Sequence, residues 1–261
     1  MPTLQVLRIN SSGQLVTDWQ NFLIGQGFDP GVVNGVFNEE TKQATIEFQI
    51  KSGLQPDGIA GNKTFGAAMQ LGFEGVKDTD DSRESNNFPP KPDFPALTSN
   101  AQREALFEHF DFVPDPTPQN KENIRILGNW EGRNIVSLNV PQLIPINGTR
   151  PVRFHRFGAN QFMKLWSDWE AARLLSRILT WDGSFVPRFQ RGSTTKLSNH
   201  AFGSAFDINA AFNVFGTMPP PVGQEGSVRE LVEIANANGF YWGGHFKKRK
   251  DGMHFEIAKL I

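Results

Sequence analysis

Between Glu74 and Asn100 the chain reads EGVKDTDDSRESNNFPPKPDFPALTSN, in which Pro89, Pro90, Pro92 and Pro95 crowd together behind a run of Asp, Ser and Asn. A stretch of that composition buries little and favours extended backbone, so neither a helix nor a central strand runs through it. It divides the chain into residues 1–73, a linker over 74–100 and residues 101–261. An ordered arm lying across the second part is the alternative reading of the linker. With 261 residues, 38% of them hydrophobic, there is enough chain for two cores.

Before the linker the sequence repeats itself. NGVFNEETKQA from Asn34 and DGIAGNKTFGA from Asp57 share Asn/Asp-Gly-Val/Ile, four residues, Thr, two residues and Ala, at an offset of 23. Each copy reads as a turn followed by a helix start. Asn38 is placed to cap a helix whose first turn carries Glu39 and Glu40, where negative charge suits the positive end of the helix dipole. Ala44 and Phe48 then share a face. Upstream, Leu15, Val16, Trp19, Phe22 and Leu23 follow the spacing of an amphipathic helix that ends at Gly25 or Gly27. Three short helices are expected. This segment, about residues 4–72, resembles the peptidoglycan-binding-like module of cell-wall hydrolases. The matching residues are the Asn34-Gly35 and Asp57-Gly58 turns, Glu47-Phe48-Gln49 and Gly53-Leu54. The resemblance implies peptidoglycan as partner and an anchoring role; a helical bundle that merely stabilises the chain is the plainer reading.

Residues 101–261 read as a mixture of α and β. NIRILGNW and RNIVSLNV bracket a Glu-Gly turn and suggest a hairpin, and PVRFHRF suggests another strand. From Asn160, the positions of Phe162, Leu165, Trp166, Trp169, Ala172 and Arg173 give one face of a long helix, an aromatic face suited to packing. Ser227 and Glu230 have capping-box spacing ahead of Leu231, Ile234 and Ala235, and Asn238-Gly239 ends that helix. YWGGHF reads as a turn and MHFEIAKL as a final strand.

Chemistry concentrates in SNHAFGSAFDIN, residues 198–209. In a strand SAFDINA, Asp207 shares a face with Ala205 and Asn209, away from Phe206 and Ile208. Gly203 lets the chain double back so that His200 and Asp207 converge. Alone, that pair is also what a structural His-Asp contact looks like. DGMHFE adds His254 and two further acids. With no cysteine in the chain, a transition metal is left to His and carboxylate ligands, and disulfides and thiolate nucleophiles are excluded. A catalytic zinc takes three protein ligands plus a water; His200, Asp207 and His254 meet that count. A carboxylate outside the metal shell must then accept the water's proton. Asp251 and Glu256 compete, and strand phase alone favours Glu256, two residues from His254.

Ser198, His200, Gly203, Ala205 and Asp207 fill SxHxxGxAxD, and Asp251 and His254 fill a later acid-two residues-His pattern. Together, over about residues 120–261, they resemble the zinc D-alanyl-D-alanine carboxypeptidase and L-alanyl-D-glutamate endopeptidase family, which shares its fold with the hedgehog signalling domain. The fold class so implied is α+β: a three-helix module, the linker, and an antiparallel sheet with flanking helices. The resemblance implies one zinc ion held by His200, Asp207 and His254, with Asp251 as general base and Glu256 supporting the shell. It also implies an arginine that polarises the scissile carbonyl, for which Arg188 is the best match and Arg191 the runner-up. YWGGHF resembles the family's aromatic-Trp-Gly-Gly segment. Ser198, Trp242 and His245 are therefore expected around the substrate, with His245 a solvent-facing rim residue rather than a fourth ligand. His155 is expected in the core or behind the ligands, and His109 on the surface.

The function implied is a zinc peptidase cutting the stem peptide of peptidoglycan, as in an endolysin. Cleavage between L-alanine and D-glutamate is the first choice and D-alanyl-D-alanine cleavage the alternative. A wall-binding protein that keeps zinc structurally is a rival, disfavoured by Asp251 and the upstream arginine. A metal-dependent nuclease is a second, disfavoured because 26 Lys and Arg against 27 Asp and Glu leave no basic stripe for a polyanion or an anionic membrane. A monomer acting on the cell wall is expected, and MPTLQVLRIN shows no Sec-type signal.

Overall fold

A computed structural model describes residues 5–73, 88–118, 120–148, 150–247 and 249–261. The linker reading of residues 74–87 lies outside the described residues.

The N-terminal part forms three helices, α1 (Gln14–Gly25), α2 (Glu39–Lys51) and α3 (Asn62–Gln70). Asn38 caps α2 by accepting the Thr41 N–H. The repeat has a physical basis in two buried glutamines. Gln20 accepts the Gly35 N–H and donates to Val36 O and Thr41 Oγ1. Gln49 accepts the Gly58 N–H and donates to Ile59 O and Thr64 Oγ1. Each turn is thus clamped to a preceding helix by one carboxamide, which satisfies backbone groups that would otherwise be buried unpaired. Trp19 sits between these halves, edge-on to Phe48 and Phe65.

The remaining elements are α4 (Asn100–Phe107), β1 (Phe112–Pro114), β2 (Ile124–Ile126), α5 (Trp130–Asn134), β3 (Ile135–Leu138), α6 (Ile144–Asn147), β4 (Val152–His155), α7 (Ala159–Ala171), β5 (Trp181–Gly183), β6 (Ala205–Ile208), α8 (Val232–Ala237), β7 (Phe240–Trp242) and β8 (His254–Ile257). Strands β5-β6-β8-β7 form an antiparallel sheet in that order. α7 covers its apolar face: Phe162, Trp166 and Trp169 lie against Phe206, and Phe206 stacks on Phe255 at 5.4 Å. The helix and strand expectations for these segments hold.

Three local readings are corrected. The expected hairpin is absent, because β2 pairs back with β1 and β3 pairs forward with β4. The Glu131-Gly132 turn is instead part of α5, which buries the Trp130 indole against Phe110, Phe202 and His155. No capping box forms at Ser227: its hydroxyl donates to Pro220 O, and Glu230 pairs with Arg177 at 2.8 Å. YWGGHF is not all turn, since Phe240–Trp242 is an edge strand followed by a single 3-10 turn.

Residues 88–98 lie across the second part as an ordered arm. Phe88 packs on Trp242 and His245, Pro90 O accepts from Asn236, and the Leu97 N–H donates to Glu256. A second hydrophobic core joins the N-terminal helices to the loop after β6 and the turn before β8: Phe48, Phe65 and Phe73 share it with Ala210, Phe212, Val214 and Met253.

Candidate metal centre and its cleft

Asp207 lies mid-sheet on β6, paired with Gly183 of β5 on one side and His254 of β8 on the other. Strand alternation sends Phe206 and Ile208 into the core and leaves Asp207 on the opposite face. His200 comes from a 3-10 turn over Asn199–Phe202, whose start is held by Ser198 Oγ accepting the His200 N–H. Gly203 closes that turn at φ 64, and a Cβ there would come within 2.7 Å of Ile135 and 3.1 Å of the His155 nitrogen. Only glycine allows the chain to reverse so tightly. His254 follows a turn in which its N–H donates to Asp251 O at 3.1 Å.

One potential ligand atom from each of these three buried residues lies within 4.8 Å of the others. Asp207 Oδ1 is 3.2 Å from His200 Nε2 and 3.0 Å from His254 Nδ1, and the two nitrogens are 3.1 Å apart. Behind the rings, His200 Nδ1 donates to Ser184 O at 2.6 Å and His254 Nε2 donates to Glu256 Oε2 at 3.0 Å. These acceptors assign the tautomers, so neutral rings turn two lone pairs toward a carboxylate oxygen. Three acceptors that close repel one another, and a positive centre among them relieves it. In the protein alone a proton serves: burial opposes it, but hydrogen bonds to Asp207 and Glu256 push His254 up to about 10. Burial pulls His200 down, whereas Asp207, despite its own burial, is held well below the carboxylate range by the two histidines. Two imidazole nitrogens and one carboxylate oxygen, each ring braced from behind, also suit a divalent transition metal such as zinc.

These side chains open on a cleft of about 760 Å³. Asp251 and Arg188 line it too. Burial drives the Asp251 carboxyl up to about 7; the nearby positive charge of His254 and Arg188 acts against this, and Asp207 and Glu256 act with it. Its shielded Oδ1 has no hydrogen-bond partner among the described residues. Arg188 is buried, which lowers its guanidinium to about 10, with Arg191 contributing and Asp207 and Asp251 opposing. Arg191 is committed elsewhere, to Glu122 at 2.9 Å and to the carbonyls of Met69 and Gln70. Glu256 accepts from His254, from Asn199 Nδ2 and from the Leu97 N–H.

Ser198 and His245 line the cleft, whereas Trp242 lies beneath it, fully buried, with its indole N–H on Gly252 O at 2.8 Å. Trp242 thereby pins the turn that carries Asp251 and His254. His245 is not solvent-facing: it is 2% exposed, packs on Trp242 and Tyr241, and pairs through Nε2 with Pro89 O. The arm covers what would otherwise be a rim. His155 is a core residue, and His109 is exposed between Glu104 and Asp111. Gln70 escaped the sequence reading; it reaches Asp207 from 137 residues away, and no local pattern marks it.

Residues 191–257 match the D-alanyl-D-alanine carboxypeptidase family, and residues 12–68 match a putative peptidoglycan binding domain. Two spore cortex-lytic enzymes of Bacillus cereus, one from strain ATCC 14579, are each 45% identical to the chain over 60 residues. That stretch is 23% of this chain and 23% of each relative, so the chain spans about a quarter of the length of the curated relatives it matches.

Proposed function

We propose that the chain is a zinc peptidase of the bacterial cell wall, cutting a peptide bond in the stem peptide of peptidoglycan. The observation that carries this reading is the convergence of His200, Asp207 and His254, each ring braced from behind, in one cleft with Asp251 and Arg188. The match to the D-alanyl-D-alanine carboxypeptidase family over 191–257 supports the reaction class, and the match to the binding domain over 12–68 supports the polymer.

His200, Asp207 and His254 would hold one zinc ion. In that shell zinc supplies Lewis-acid polarisation of a water molecule and of the scissile carbonyl. The Asp251 carboxylate, which burial pushes up, accepts the proton of the attacking water and returns it to the leaving nitrogen. The Arg188 guanidinium donates to the carbonyl oxygen as negative charge develops there. Glu256 keeps His254 in the tautomer that leaves Nδ1 free to ligate. The N-terminal helices hold the enzyme on polymeric wall, which raises the local concentration of scissile bonds.

Cleavage between L-alanine and D-glutamate is the favoured bond. Digestion of purified sacculi, with the new termini identified by mass spectrometry, tests it. A new D-glutamyl amino terminus supports it, loss of a terminal D-alanine replaces it with carboxypeptidase action, and intact peptides with zinc bound would leave a wall binder.

A further inference from the structure

The N-terminal helices also build the metal centre. α3 lies on β5 so closely that a Cβ on Gly66 would sit 1.9 Å from Asp182 Oδ1, which leaves room for glycine alone. At the end of the same helix, Gln70 donates its Nε2–H to Asp207 Oδ2 at 2.8 Å. Arg191 grips that helix end through the carbonyls of Met69 and Gln70, while Glu122 grips Arg191. Below, Phe65, Met69 and Phe73 share a core with Phe212 and Met253, two residues from Asp251. Gln70 is therefore a donor fixed in place by its surroundings rather than a tip that happens to touch.

The two oxygens of Asp207 have separate tasks. Oδ1 faces both imidazoles, and Oδ2 is taken by Gln70. A carboxylate free at its second oxygen can rotate about its terminal torsion or take a metal through both oxygens. A carboxamide donor on Oδ2 sets the plane and presents a single oxygen. We propose that Gln70 is a positioning residue for the zinc centre, so that the wall-binding part of the chain supplies a member of the shell that orients the ligands. This rests on reading His200, Asp207 and His254 as a zinc site, and it goes beyond anchoring: full zinc affinity requires α3 docked on β5.

The test uses the full-length chain and zinc alone, titrated in competition with a chelator of known affinity, with the melting temperature of the metal-free protein recorded beside it. Gln70→Met keeps the length and volume of the side chain and removes the donor. It should weaken zinc by about 10-fold to 100-fold, the usual cost of losing a group behind a ligand, a loss larger than any fall in the metal-free melting temperature accounts for. Gly66→Val touches no ligand, lifts α3 from Asp182 and should weaken zinc in the same direction. A merely structural Gln70 would move the melting temperature and leave zinc affinity alone, and unchanged zinc affinity in Gln70→Met overturns the inference. A wild-type chain that takes up no zinc overturns the metal reading itself, which separates the two failures.

Discussion

His254 donates its Nε2–H to Glu256 Oε2 at 3.0 Å from two positions along the same strand. Three N–H donors converge on this carboxylate, from His254, Asn199 and Leu97, so both of its oxygens are needed. Glu256→Gln keeps the shape but turns an NH₂ toward one of those donors and leaves it unpaired. Zinc affinity should fall by about 10-fold to 100-fold, because a neutral amide braces the His254 ring more weakly than the carboxylate does. His254→Ala, which removes a proposed ligand outright, should lower zinc content further at equal free zinc. Metal analysis after dialysis against buffered zinc checks both, and full occupancy in His254→Ala would remove it from the ligand set.

The paired turns of the N-terminal part should respond to their clamps. Gln49→Leu leaves the Gly58 N–H, the Ile59 carbonyl and the Thr64 hydroxyl without their shared partner. Loss of a buried hydrogen-bonding group that strands its partners costs about 1–3 kcal/mol. The urea midpoint should drop accordingly, and Gln20→Leu should do the same through Gly35, Val36 and Thr41. An unchanged midpoint in both variants would mean that water replaces the carboxamides.

What the sequence made legible, and what it hid, follows from the range of the interactions. The helix of Trp19 and Leu23, the strand of Phe206 and Asp207, and the turn around Gly203 depend on periodicity and on φ, which neighbouring residues carry. Pairing partners are another matter. Ile124–Ile126 and Ile135–Leu138 both look like strands, but nothing local says that each prefers a different neighbour and that the Trp130 indole claims the turn between them. Ser227 and Glu230 have the spacing of a capping box, yet the Ser227 hydroxyl accepts the Arg229 N–H rather than that of Glu230, and Arg177 takes the Glu230 carboxylate. His245 read as a rim residue because its cover, Phe88 and Pro89, comes from 156 residues upstream. Gln70 was illegible for the same reason. Its role exists only once α3 is docked.

His155 gives a pH dependence of stability. It is fully buried, with Nε2 on Phe107 O and Nδ1 accepting the Phe157 N–H, an arrangement that suits the neutral ring. Burial, with Arg156 nearby, lowers it to about 4, against the Phe107 hydrogen bond and the Glu108 charge. The unfolded chain therefore binds a proton that the folded chain refuses between about pH 6.5 and 4. Stability is full above the unfolded value and is lost as pH falls through that window, by about 2 kcal/mol at pH 5. His155→Gln can keep the hydrogen bond to Phe107 without a titrating ring. Thermal melts of metal-free protein at pH 7.5 and 5 should show a smaller acid loss in the variant; an equal loss would assign the effect to other groups.

Asp251→Asn tests which acid handles the proton. The substitution keeps the size and polarity of a side chain whose shielded Oδ1 has no partner among the described residues, so the turn held by Trp242 and Gly252 should stand. An amide cannot take a proton from the attacking water. Turnover on wall peptides should fall by about 10²-fold or more, the scale of general acid-base assistance, while zinc content stays at the wild-type level. Glu256→Gln should lose activity mainly through zinc and recover much of it at saturating metal, since in the proposed mechanism that carboxylate acts on His254 and not on the water. The contrast at saturating zinc separates the roles. If Asp251→Asn turns over at the wild-type rate there while Glu256→Gln stays dead, the proton passes through Glu256, and the strand phase that places it two residues from His254 is the better guide.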